Sequence, residues 1–127
     1  MAANNLCVAG TTGVGFLPVW GVGFGFSLSP SGTAVQLSGT GVTVAVTSLP
    51  TGAPLTVTVY VGTTNYCAVI SSATQTIPWT SFTTTCYAPA TGVALTGAPN
   101  TPNISFNVGA GPTVGTFDFC VTALWFQ

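Results

Sequence analysis

Apolar and polar residues alternate with a period of two along much of the chain. Val42, Val44 and Val46 are interleaved with Thr43, Ala45 and Thr47, and Leu55, Val57, Val59 and Val61 with Thr56, Thr58 and Tyr60. Successive side chains of a strand point to opposite faces, so the pattern predicts half-buried strands over 41–48 and 55–61. Leu49-Pro50-Thr51-Gly52-Ala53-Pro54 between them carries turn chemistry, and the two strands are expected to be neighbours. Further strands are predicted over 5–9, 19–28, 34–38, 65–71, 75–79, 103–109 and 115–125, separated by segments rich in Gly, Pro, Asn or Ser. Helical periodicity is absent, and Thr, Val and Gly disfavour helix interiors. Short strands at this spacing predict an all-β fold, an antiparallel β-sandwich or jelly roll, as one domain over residues 1–127.

Three segments have a particular shape. Trp20, Val22, Phe24, Phe26 and Leu28 share one face of their strand, and Gly21, Gly23 and Gly25 leave the other face bare, which suits close approach by another backbone or a bulge. The last strand sets Phe117, Phe119, Val121 and Ala123 against Asp118, Cys120, Thr122 and Leu124. Tyr87 to Pro102, with Pro89, Gly92, Gly97, Pro99 and Pro102, reads as a long surface connection.

Composition narrows the chemistry. The 127 residues include no Lys, Arg or His, and Asp118 is the sole acidic side chain. Ordinary soluble domains are about 25% charged, against 1% here. Nothing could neutralise phosphates, so nucleic acid is excluded as a partner. Disorder is not expected, because disordered chains combine low hydrophobicity with high net charge, and 47% of these residues are hydrophobic. The longest apolar run, Val14 to Phe26, is broken by Gly15, Pro18, Gly21, Gly23 and Gly25, so no membrane span is expected. The stretch after Met1 lacks a basic n-region and an apolar h-region, so no secretory signal is expected in it, and Met1 reads as a start placed on a mature sequence.

The 4 cysteines, an even number, point to an oxidising, extracellular setting and two disulfides. Their spacing lacks the close pairs of a zinc site, and no metal or cofactor is expected. Three pairings are possible, and the sequence does not choose among them. We favour Cys67 with Cys86 and Cys7 with Cys120, a nested pattern that closes a local loop and pins the first strand to the last.

Catalysis is not expected. Glycoside hydrolysis in its usual form needs two carboxyl groups, a serine nucleophile needs a base, and a reactive thiol needs a cationic neighbour. Asp118 reads as a buried acceptor for backbone N–H groups rather than as the lone acidic ligand of a Ca²⁺ site. Aromatic rings remain as a means of binding, by stacking on sugar rings while Asn, Gln and Thr bond hydroxyls. Trp20, Trp125 and Tyr60 also belong to this set, with Trp20 and Trp125 expected in the core. Trp79, which follows Pro78, and Tyr87, which follows Cys86, are the rings expected to be exposed, and Tyr66 is a third candidate for the ligand site. Asn103-Ile104-Ser105 is a formal glycosylation sequon.

Leu6-Cys7-Val8, Trp20 to Phe26, Tyr66-Cys67-Ala68, Ile77 to Phe82, Cys86-Tyr87 and Phe117-Asp118-Phe119-Cys120-Val121 form an ordered series over most of the chain. In this series the chain resembles secreted β-sandwich modules of bacteria, notably myxobacteria, of the jelly-roll carbohydrate-binding type. The resemblance implies a non-catalytic extracellular module that binds a neutral polysaccharide. Asp118 and Cys120 fit the aromatic-Asp-aromatic-Cys last strand of such modules. The chain departs from them in charge, as a charge-depleted engineered version would. The near-absence of charge also supports a different expectation, a structural protein that assembles with copies of itself into a filament or layer.

Overall fold

The computed structural model describes residues 5–12, 21–86, 91–109 and 115–127. The strands are β1 (Leu6–Thr12), β2 (Gly21–Ser27), β3 (Val35–Gln36), β4 (Gly41–Val46) and β5 (Leu55–Val61). They continue with β6 (Thr64–Ile70), β7 (Thr74–Pro78), β8 (Asn100–Thr101), β9 (Asn103–Gly109) and β10 (Gly115–Phe126). A 3-10 turn, Trp79–Ser81, follows β7, and no helix among the described residues is long and apolar enough to cross a membrane.

Pairing is antiparallel throughout and nested. β1 pairs with β10, β2 with β9, β3 with β8, β4 with β7 and β5 with β6. The chain thus behaves as one long folded hairpin, rolled up by two further ladders, β10 with β4 and β9 with β5. The result is a jelly roll with sheets ordered β1-β10-β4-β7 and β2-β9-β5-β6, plus the small pair β3-β8.

Alternation supplies the core between the sheets. Val42, Val44, Val46, Phe117, Phe119 and Val121 come from the first sheet, and Leu55, Val57, Val59, Ile104, Phe106 and Val108 from the second. Phe24 of β2 lies 5.6 Å from Phe106 on its own sheet and 5.7 Å from Phe119 on the other, joining the layers. Offset and tilted ring pairs at these distances add to the gain from area burial.

The predicted strand positions and both favoured disulfides, Cys7–Cys120 and Cys67–Cys86, are found. Cys7 and Cys120 stand directly opposite one another in the β1–β10 ladder. Four expectations are corrected. Strands 41–48 and 55–61 are not neighbours, because β4 and β5 belong to different sheets. The segment between them, with Pro50 and Pro54, bridges the layers, where Thr51 N–H donates to the Thr116 carbonyl at 3.1 Å. The tight hairpin is β5–β6 instead, turned at Gly62, whose φ of +62° favours glycine.

The last strand does not keep one alternation. Its register against β4 shifts between Val121 and Ala123, a β-bulge that inserts one residue. Phe117, Phe119 and Val121 face inward before it, and Leu124 and Phe126 pack on the core after it. Trp125, expected inside, is therefore turned out and 45% exposed. Asp118, expected buried, is exposed, and it is the Asp118 main-chain carbonyl that accepts the Ser48 hydroxyl at 2.7 Å.

The stretch to Pro102, where it is described, is held by main-chain bonds. Leu95 N–H donates to Phe82 O and Leu37 N–H to Pro99 O, both at 2.9 Å, and Asn100–Thr101 forms β8. Residues 87–90 lie outside the described part.

β1 gives the core only half-buried Val8, while its other apolar side chains are exposed. Its hold rests on the ladder and on a disulfide spanning a sequence separation of 113 residues. Replacing Cys7 and Cys120 together by Ser should lower unfolding free energy by about 3–5 kcal/mol in denaturant titrations. The β1 amides should lose exchange protection before those of β5 or β9.

Candidate functional site

The outer face of the second sheet is built by the alternate residues of three strands. β9 reads Asn103-Ile104-Ser105-Phe106-Asn107-Val108, so burying Ile104, Phe106 and Val108 turns Asn103, Ser105 and Asn107 outward. In β5 the same logic turns Thr56, Thr58 and Tyr60 away from the core, with Thr56 and Thr58 still buried and Tyr60 half-buried, and in β2 it turns the glycines and Ser27 outward. The bare glycine face expected from the sequence thus neither bulges nor lies under another strand of the described part. It forms the floor of a shallow groove of about 420 Å³, walled by Tyr60, Asn103, Ser105 and Asn107.

Hydrogen bonds hold the wall. Asn107 Nδ2 donates to Thr58 Oγ1 at 3.1 Å. Thr58 Oγ1 lies 3.2 Å from Cys67 Sγ, and since that sulfur is in a disulfide the hydroxyl donates. Tyr60 and Ser105 share a hydroxyl–hydroxyl bond of 2.8 Å. Thr101, fully buried, accepts from Tyr60 N–H and donates to the Asn103 carbonyl, both at 2.9 Å, and so ties β5 to β9 at one end of the groove. Asn103 Oδ1 has no hydrogen-bond partner.

The glycines are needed for these neighbours. A Cβ on Gly25 would stand 2.7 Å from the Ile104 carbonyl oxygen and 2.9 Å from Ser105 Cβ, and one on Gly23 would collide with the Asn107 carboxamide. The groove therefore presents neutral donors and acceptors with one phenol ring beside them, and no ionic group. Among the described residues, no cluster of His, Cys, Asp or Glu could hold a metal.

The sequence-predicted ligand residues do not gather here. Trp79 is 1% exposed: the 3-10 turn after Pro78 carries its ring inward, against Phe82 at 5.4 Å and Phe126 at 6.2 Å. Its indole N–H is satisfied by the Gly39 carbonyl at 3.1 Å. The expectation of an exposed Trp79 is thus corrected, since an apolar ring that closes the core cannot stack on a sugar. Tyr66 is half-buried and packs on the core opposite Val59. Tyr87 and Trp20 lie outside the described residues. Asn103, Ser105 and Asn107 alternate with the core residues of β9, a pattern legible in the sequence, but only the structure sets them beside the glycines of β2; of the groove residues, Tyr60 alone is among the aromatic candidates. The sequon asparagine, Asn103, is half-buried within a strand.

Comparison of the chain with protein families, with curated proteins and with solved structures finds no match.

Two substitutions test the geometry. Thr101→Val keeps the shape but removes both bonds of a buried hydroxyl, and should cost about 1–3 kcal/mol in thermal or chemical unfolding. Gly25→Ala forces β2 away from β9 and should cost about 1–3 kcal/mol, whereas Gly97→Ala, where a Cβ meets nothing, should be within about 0.5 kcal/mol of the parent.

Proposed function

We propose that the protein is a non-catalytic extracellular module that binds a neutral polysaccharide in the groove on the outer face of β2-β9-β5. The observation that carries this reading is the composition of the groove: two carboxamides, two hydroxyls and a phenol ring over a glycine floor, without any charge. Sugar hydroxyls both donate and accept, so they match amides and hydroxyls, and the apolar side of a pyranose matches an aromatic ring. Two disulfides fit an oxidising compartment. The jelly-roll fold agrees with the resemblance to secreted bacterial carbohydrate-binding modules.

The test is retention on insoluble neutral polysaccharides, amorphous cellulose and mannan, against acidic polygalacturonate. The parent should be retained on a neutral matrix, and Tyr60→Ala and Asn107→Ala should each weaken retention by about tenfold, as loss of a stacking or bonding contact does. Trp125→Ala, on the opposite face, should leave it unchanged. Retention should also persist to about 1 M salt, since no charged group takes part. A parent that passes through every neutral matrix refutes the reading, and loss on Trp125→Ala alone moves the site to the other sheet.

A second reading, self-assembly with copies of the same chain, is favoured by the strand edges. β1 and β2 each end a sheet, neither carries Lys, Arg or Pro, and the net charge is −1. Charged and proline residues are the usual protection against edge pairing.

A further inference from the structure

The geometry points to a second copy of this chain paired antiparallel on the outer edge of β2, so that two grooves join into one trough. This inference rests on the self-assembly reading and specifies the contact. Among the described residues, β9 is the only strand paired with β2, and it covers one edge. Leu28 N–H donates to the Pro102 carbonyl at 2.9 Å, one step beyond the last ladder pair, Ser27 with Asn103. Backbone groups of a strand alternate in direction, so Val22, Phe24 and Phe26 bond toward β9. The N–H and C=O groups of Gly21, Gly23, Gly25 and Ser27 then face the open edge.

That edge is self-complementary. An antiparallel pair centred on Phe24 sets Gly23 against the partner's Gly25 and Gly21 against the partner's Ser27, in the positions that exchange both backbone bonds. On the inner side it sets Val22, 45% exposed in one copy, against the partner's Phe26. Small residues thus meet small ones on the outer face, and apolar residues meet apolar ones at the rim of the core. Asp118, the only charged side chain, belongs to the other sheet, so two copies approach on this edge without repulsion. The glycine floor, bounded by a wall on one side only, gains a second wall from the partner. With strands about 4.8 Å apart, the two β9 strands would face each other across about 14 Å of glycine-lined floor.

Sedimentation equilibrium of the disulfide-intact chain up to about 1 mM tests the pairing. The parent should dimerise, and Val22→Lys and Ser27→Pro should each weaken dimerisation by about tenfold or more, because an edge lysine or a missing edge N–H opposes strand addition. Amide exchange on the parent reads the same contact without a variant. Gly21, Gly23, Gly25 and Ser27 should exchange fast in dilute solution and slowly as dimer forms, with Val22, Phe24 and Phe26 slow throughout. A parent that stays monomeric overturns both this pairing and the self-assembly reading. Dimers that persist in both variants, with the four edge amides still fast, overturn the β2 contact and leave self-assembly standing.

Discussion

The structure depends on pairing strands from opposite ends of the chain, outermost with outermost and innermost with innermost. Only the β5–β6 hairpin is local; every other ladder joins residues far apart in sequence, and such contacts require loop closure before they reward it. The two disulfides follow the same nesting. Cys7–Cys120 closes the outermost pair, while Cys67–Cys86 ties the innermost hairpin to the segment that leaves the 3-10 turn. The β1–β10 ladder, to which β1 brings only Val8 as a core contact, is the one that carries a covalent bond.

Everything on the outer faces follows from what the interior takes. Burying Ile104, Phe106 and Val108 obliges Asn103, Ser105 and Asn107 to face out, and burying Phe24 and Phe26 obliges the glycines to do so. Two of the rings that stand out in the sequence are drawn inward, Trp79 into the core and Tyr66 against it, while Trp125 is turned out. What remains outside β2, β9 and β5 is a polar but neutral surface whose hydrogen bonds run from Asn107 through Thr58 to the Cys67–Cys86 disulfide. The groove and the disulfide are therefore one mechanical unit.

A surface whose one charged side chain is Asp118 has two consequences that act together. Binding through such a surface is selective for neutral ligands and insensitive to salt, because only short-range hydrogen bonds and stacking operate. The same neutrality removes the repulsion that keeps copies apart, and leaves strand edges to be managed by geometry alone. In the two proposed readings the glycine strip of β2 is the floor of the groove and a flat edge open to pairing.

Period-two alternation determined the strands, the fold class and the faces of β5 and β9, because burial of every second residue is a local property of an extended chain. Cysteine number pointed to two disulfides, and the nested pairing favoured among the three possible is the one the structure shows. Three decisions belonged to the tertiary structure. The assignment of β4 and β5 to different sheets depends on where Pro50 and Pro54 lead the chain, which no local pattern encodes. The bulge beyond Val121 reverses the facing of Leu124, Trp125 and Phe126, and arises from registry against β4 rather than from the strand's own residues. Trp79 is interior because a 3-10 turn aims it at the gap between the sheets, and the groove row Asn103, Ser105 and Asn107 is polar because alternation in β9 gives Ile104, Phe106 and Val108 to the core.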